Sequence, residues 1–368
     1  MKEITIPQIY EAEYADTKSK IIENTTDDSL NFLFMTDMHI DLWDMHDCII
    51  RQCNAVVELA RETRIDFVLL GGDIIHGISD KSRNFELFEE YVELFGKIDI
   101  PVIAVRGNHD DNAYHNKNKP ADIKGFSWEH IPTDCIISAQ EWSQRVADPL
   151  SKGKAVKDEQ NADSSYFYVD FEDKKTRIVV LDSYDYKVEE NTRGYAKYSA
   201  ETWDRLSSRQ MKWFAETALD PQRDGWNYII ASHNHLTYNG IERPFGNSEM
   251  VCAILEAFNN KTAFYNAEYD IYVDYSDNTS KAVLSIFGHT HRDFYHKDKR
   301  TNMLFLGSGN AKPMVYDCTG ALYDYAACEA RERETVTEAL FDCVICKKDG
   351  NFVKIRFGAG DDQFICVD

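Results

Sequence analysis

Phe32-Leu33-Phe34-Met35-Thr36-Asp37-Met38-His39-Ile40-Asp41 reads as a buried apolar strand that breaks at an Asp-x-His-x-Asp cluster. Alternation along an extended backbone puts Asp37 and His39 on one side, where a carboxylate and an imidazole can converge on one cation. Alone, such a triplet suits a solvated loop or a helix N-cap at least as well. Later segments of the chain decide between these. Asp47 to Arg64 carries Ile49, Cys53, Val56, Val57 and Ala60 at helical spacing. The apolar run Phe67-Val68-Leu69-Leu70 then breaks at Gly71-Gly72-Asp73, and a second amphipathic helix shows Phe85, Phe88, Val92 and Phe95 on one face. A third strand, Pro101 to Val105, runs into Arg106-Gly107-Asn108-His109-Asp110. This rhythm implies parallel strands with right-handed crossovers, so each strand's C-terminal end falls on the same edge of the sheet.

Past residue 110 the pattern loosens. Residues 111–165 read as irregular, a surface excursion or equally a wall beside the site. Tyr166 to Phe171 and Arg177 to Leu181 form an expected antiparallel pair around a charged turn. Arg209 to Leu219 has helical spacing and leads into a strand, Trp226 to Ala231, that ends at Ser232-His233-Asn234-His235. A second interruption, 236–280, contains an expected helix (Ser248 to Phe258) and a segment rich in tyrosine, where Tyr265, Tyr269, Tyr272 and Tyr275 read as packing rather than as pocket lining. The strand Ala282 to Phe287 ends at Gly288-His289-Thr290-His291. Met303 to Leu306 is a further strand, and Ala339 to Cys346 with Phe352 to Arg356 reads as a hairpin. The expected organisation is a lead-in over 1–29 with an edge strand at Glu3 to Ile9, one domain over 30–312 with insertions at 111–165 and 236–280, and a β-rich C-terminal extension, 313–368, packed on the same domain.

The formal charge of -22 over 368 residues works against binding a nucleic-acid backbone, so nucleic acid is an unexpected partner. Polyanionic substrates need positive charge supplied locally, as metal ions would do. Nine cysteines without regular spacing give no disulfide framework, and Cys343-Val344-Ile345-Cys346 reads as apolar filling of a strand. The apolar runs are strand-sized and the N-terminus lacks the features of a secretory signal, which together give the expectation of a cytoplasmic protein with no membrane partner.

The strand-terminal groups are Asp37 and His39, Asp73, Asn108 with His109, His233, then His289 and His291. They fall at five strand ends, expected on one edge of one sheet, and Gly72, Gly107 and Gly288 stand beside three of them. In this order the series resembles the calcineurin-like metallophosphoesterases over roughly residues 30 to 310. The resemblance implies an α/β fold, a four-layer αββα sandwich with mixed sheets, and a dinuclear metal centre at the strand ends. It implies that Asp37, His39 and His291 hold one metal, that Asn108, His233 and His289 hold the other, and that Asp73 bridges them. The cofactors are then two divalent transition-metal ions, and the mixed oxygen and nitrogen donors suit Mn, Fe or Zn. The implied activity is hydrolysis of a small phosphate ester, monoester or diester, by a hydroxide between the two ions. The resemblance also makes His109 a catalytic group that faces substrate.

Asp41 and Asp110 are candidates to orient an imidazole. His76 stands where purple acid phosphatases carry a tyrosine ligand, and reads as a neighbour of the ligands more than as a ligand. His235 competes with His233, which lies closer to its strand. The rival reading is a binding or scaffold protein that keeps the fold without turnover.

Overall fold

The computed structural model describes residues 5–114, 131–237, 244–313 and 331–366. Where an edge strand is expected, Gln8–Tyr10 instead makes a 3-10 turn that opens into helix α1, Glu11–Asn24. Tyr10, Tyr14, Thr17 and Ile21 form a stripe at helical spacing, with Tyr10, Thr17 and Ile21 buried. The charged residues between them hide that stripe in the sequence.

Strands β1 (Leu30–Met35), β2 (Phe67–Leu70) and β3 (Val102–Ala104) are fully buried and joined by helices α2 (His46–Glu62) and α3 (Lys81–Phe95). They pair in parallel, with Phe34 opposite Leu69 and Leu69 opposite Ile103. The first insertion is more regular than expected. Ser138 and Glu141 make a reciprocal cap on a helix that runs through Ala139–Trp142, a π turn at Ser143–Ala147 and Asp148–Leu150. Its three short pieces, with Pro149 near the end, give the sequence too little periodicity to reveal it. Residues 115–130 of that insertion lie outside the described residues.

The chain continues through β4 (Val156–Lys157), β5 (Phe167–Phe171), β6 (Thr176–Leu181), β7 (Asn227–Ser232), a separate hairpin of β8 (Ala263–Asn266) and β9 (Ile271–Asp274), β10 (Lys281–Phe287), β11 (Phe294–Lys297) and β12 (Leu304–Gly307). It closes with β13 (Leu340–Cys346), β14 (Phe352–Gly358) and β15 (Gln363–Ile365). The strands form a six-stranded sheet in the order β15-β14-β13-β1-β2-β3 and a seven-stranded sheet in the order β11-β12-β10-β7-β6-β5-β4. The C-terminal hairpin therefore completes the first sheet: β13 lies antiparallel beside β1, with Phe32 opposite Val344.

The central strands of both sheets are buried on both faces, as a sandwich covered by helices requires. Ile178 and Val180 of β6 and Ile229 and Ala231 of β7 share a core with β1 and β2. Their neighbours Val179, Leu181, Tyr228 and Ile230 pack instead with Met211, Phe214, Ile254 and Phe258 from the helical segments beyond the second sheet. This alternation builds the αββα layering. It also corrects one expectation, because the strand ends belong to two sheets: β1, β2 and β3 of the first, β7 and β10 of the second. Parallel runs on either side of 111–165 look alike in sequence, and apolar periodicity does not say which sheet a strand joins. In the tyrosine-rich segment, Tyr275 is buried and donates to the Ala215 carbonyl at 2.6 Å, whereas Tyr265 and Tyr272 face each other across β8 and β9 and are exposed.

Candidate metal centre

Each carboxylate or imidazole of the centre follows a strand at the point where the backbone turns sharply. Asp37, His39, Asp73, His289 and His291 all have positive φ, between 47° and 67°. For residues with a Cβ this costs on the order of 1 kcal/mol each, and such strain persists only where the surroundings fix it. The fixing bonds are visible. Asp37 N donates to Gly72 O at 3.0 Å, and Met38 N and His39 N both donate to Asp73 O at 2.9 Å. His289 N donates to Asp37 Oδ2 at 3.0 Å, and Thr36 Oγ1 donates to the same oxygen at 2.7 Å.

Asp110, expected to orient an imidazole, braces backbone instead. Its Oδ2 accepts from Gly107 N at 2.8 Å and Asp73 N at 3.1 Å, and its Oδ1 from Ile74 N at 2.9 Å. Asp41 likewise accepts from the backbone N of His76 and of Ile78. Carbonyls orient the rings: His233 Nδ1 donates to Gly71 O and His109 Nδ1 donates to His76 O, both at 2.8 Å. Since a carbonyl only accepts, each of these imidazoles carries its proton on Nδ1 and turns Nε2 toward the centre.

The seven side chains converge in two groups. In one, His291 Nε2 lies 3.2 Å from Asp37 Oδ1 and 3.4 Å from His39 Nε2, and His39 Nε2 lies 3.6 Å from Asp73 Oδ2. In the other, Asn108 Oδ1 lies 3.1 Å from His233 Nε2 and 3.0 Å from His289 Nδ1, and His233 Nε2 lies 3.3 Å from Asp73 Oδ2. Asp73 Oδ2 is common to both. Lone pairs facing one another at such distances repel unless a proton or cation lies between them, and mixed carboxylate, amide and imidazole donors fit a transition-metal ion. Asp37, His39, Asp73 and His291 form one group with donors close enough to hold an ion, and His39, His76 and His109 form another.

The protonation of these groups follows from their burial and from each other. Burial pushes His39 well below the usual histidine range, and it takes His289 down to about 3 with His233 adding to the effect. Both are thus neutral, as a metal ligand must be. Burial alone would raise the carboxyl of Asp73, yet the rings of His233 and His109 hold it below the usual carboxylate range. Burial would also lower His233, but Asp73 and Asp37 prevail and lift it to about 10, so without an ion Nε2 also holds a proton, which an ion bound there would displace.

His76 Nδ1 lies 3.0 Å from His39 Nδ1, on the side of the His39 ring away from the centre. His76 stacks on His109 with ring centroids 4.4 Å apart. His109 is close to the centre but off it, with Nε2 4.0 Å from Asp73 Oδ2. The ring of His235 packs against Phe287, with centroids 5.7 Å apart.

Two neighbours have no signal in the sequence. Asn108 Nδ2 donates to Glu201 Oε1 at 3.3 Å, which turns Asn108 Oδ1 toward His233 and His289. Tyr114 stacks on His109 with centroids 3.9 Å apart and donates its hydroxyl to the same Glu201 oxygen. Glu201 is 93 residues from Asn108 and sits in no strand-end motif, so only the fold brings it here.

No helix among the described residues is long and apolar enough to cross a membrane. The architecture is similar to that of a dimetal phosphatase from Danio rerio, at a TM-score of 0.55 and 16% identity over 92% of this chain and 99% of that one. In sequence, the chain is 31% identical over 97 residues to the DNA double-strand break repair protein Mre11 of Archaeoglobus fulgidus. That match spans 23% of this chain and only 22% of the relative's length. The family model for the calcineurin-like phosphoesterases matches residues 30–293, which include every strand end described above. The chain belongs to the calcineurin-like phosphoesterase family.

Proposed function

We propose that the chain hydrolyses a small phosphate ester at a dinuclear metal centre, with Asp37, His39 and His291 holding one ion, Asn108, His233 and His289 the other, and Asp73 shared. The observation that carries this reading is the pair of donor groups meeting on one oxygen, Asp73 Oδ2, 3.6 Å from His39 Nε2 and 3.3 Å from His233 Nε2. Two divalent ions at such a site supply an activated water at neutral pH and neutralise the charge of a phosphate. The donor set suits Mn, Fe or Zn.

The chain's own residues do the rest. Asp110 and the backbone bonds between the β1 and β2 loops fix the carboxylates before substrate arrives, so their alignment costs nothing during reaction. Glu201 holds the Asn108 amide in one orientation. His109 offers Nε2 toward the centre, where it either protonates the departing oxygen or stabilises charge on the phosphoryl group. Burial keeps His109 below its usual pKa, despite the nearby Asp73. The rival reading, a scaffold without turnover, is disfavoured by the complete donor set with His109 beside it.

The test is hydrolysis of p-nitrophenyl phosphate, bis-p-nitrophenyl phosphate and nucleotide diesters by metal-stripped protein, before and after adding back Mn²⁺, Fe²⁺ or Zn²⁺. Turnover that depends on added metal supports the proposal. A chain that binds two ions yet turns over none of these esters fits the scaffold.

A further inference from the structure

The C-terminal hairpin carries charge into the interior. Asp342 of β13 and Lys354 and Arg356 of β14 are buried, at 0%, 1% and 2% exposure. Buried charge is costly unless fully paired, and an apolar strand would pack here at lower cost. These charges are paired with a purpose that the contacts reveal. Arg356 Nε donates to Asp342 Oδ1 at 2.7 Å, while Arg356 Nη2 and Lys354 Nζ donate to Asp293 Oδ1 at 2.6 and 2.9 Å. Asp293 is two residues beyond His291. A hairpin of the first sheet thus grips the loop that follows β10 of the second.

A second tie from the same segment reaches the other ligand turn of the same half. Arg331 donates to the carbonyls of Asn310 at 2.6 Å, Ala311 at 2.9 Å and Lys312 at 3.0 Å. That gathered loop is bonded to the first ligand turn, because Ala311 N donates to Thr36 O at 2.9 Å and Lys312 N to Asp37 O at 3.4 Å. The two ties therefore brace Asp37 and the loop of His291, whose donor atoms are 3.2 Å apart. Of the donors at the other site, Asn108 and His233 are held by different partners, Glu201 and the Gly71 carbonyl, and only His289, in the turn of His291 with its N–H on Asp37 Oδ2, shares these ties.

We propose that the C-terminal segment positions the centre with a bias to one half: Asp293 and Arg331 are positioning residues chiefly for the site of Asp37, His39 and His291, two of whose donors they brace, and act on the other site only through His289. This rests on the dinuclear reading above. Displacing a ligand by more than roughly 0.5 Å weakens a metal site, so loosening either tie lowers affinity at that site more than at the other.

The test uses the full chain and Mn²⁺ alone. Equilibrium dialysis gives stoichiometry and affinity, and electron paramagnetic resonance separates an exchange-coupled pair of ions from an isolated one. Wild type is expected to take two Mn²⁺ with a coupled spectrum. Asp293→Asn and Arg331→Gln, folded by circular dichroism, are expected to keep one Mn²⁺ within a few fold of wild-type affinity and to bind the second at least tenfold more weakly, with the spectrum of an isolated ion at limiting metal. Two ions at wild-type affinity in both variants would overturn the inference, as would equal weakening of both sites. If Asp293→Asn does not fold, Arg331→Gln decides, since it leaves the buried cluster of Asp293, Asp342, Lys354 and Arg356 intact. Failure of wild type to take two ions overturns the dinuclear reading itself, and this inference falls with it.

Discussion

Adding one methyl group at Gly107 tests whether the centre depends on the close approach of two strand-end loops. A Cβ there would lie 2.1 Å from Asp73 Oδ1 and 2.3 Å from Asp73 N, where ordinary contact begins at 3.4 Å. One loop or the other must move by roughly 1 Å to reach contact distance. Neither is free to do so. Asp73 is pinned by Asp110 through its N–H, by Met38 and His39 through its carbonyl, and by His109 N at 2.9 Å through Oδ1. Gly107 hangs from the same Asp110 oxygen at 2.8 Å. Overpacking of this kind costs about 1–3 kcal/mol of stability, which a domain of this size survives. Function suffers more, because a misplacement near 1 Å at a reacting centre costs about 10²-fold in rate. Gly107→Ala is therefore expected to fold, to melt a few degrees lower, to lose affinity for both ions, and to fall at least ~10²-fold in kcat/KM. Thermal melts, metal analysis and steady-state hydrolysis measure these three effects on one preparation. A Gly107→Ala variant with two ions at wild-type affinity and activity within a few fold would refute the reasoning, since Asp73 would then tolerate displacement.

Removal of His233 is expected to abolish one metal site while His235→Ala keeps both, and metal analysis showing the reverse would exchange their roles. His109→Ala is expected to retain both ions while hydrolysis falls by ~10²–10⁴ if the ring acts as general acid, with a smaller loss on p-nitrophenyl esters than on alkyl esters. Equal losses would make it a stabiliser of phosphoryl charge. Glu338 is a pH probe away from the centre: burial would raise its carboxyl, but Arg51, bonded at 2.8 Å through both Nε and Nη2, holds it below the usual range. A depressed carboxyl stabilises the fold above its unfolded pKa and loses that contribution as pH falls through the folded value. Glu338→Gln should thus be about 2 kcal/mol less stable than wild type at pH 7, and denaturant titrations should show the gap closing below about pH 4.

The convergence of the candidate donors was legible because they sit in short motifs at strand ends, where local signals are strongest. Asp37-Met38-His39, Gly72-Asp73, Gly107-Asn108-His109 and Gly288-His289-Thr290-His291 each join an apolar run to a sharp turn, and each can be read without knowing the rest of the chain. What the sequence concealed depends on distance along the chain. Glu201 gains meaning only when the fold brings it to Asn108, and Asp293 only when Lys354 and Arg356 arrive from a strand of the other sheet. Asp110 differs from expectation for a related reason. Its place beside His109 suggests an imidazole partner, whereas its oxygens are taken up by backbone N–H groups from the β2 loop and from Gly107. Helix α1 and the helix at 139–150 were hidden by composition, since a buried stripe of four residues among charges, or a helix broken by a π turn, leaves little periodicity to find.

The central claim is one shared carboxylate between two ions, and counting metal in wild type and in Asp73→Ala tests it most directly. Elemental analysis after reconstitution should find close to two transition-metal ions per wild-type chain, and Asp73→Ala should be depleted at both positions. An Asp73→Ala chain that loses one ion and retains the other at wild-type affinity would contradict the account, because the bridge would then lie elsewhere.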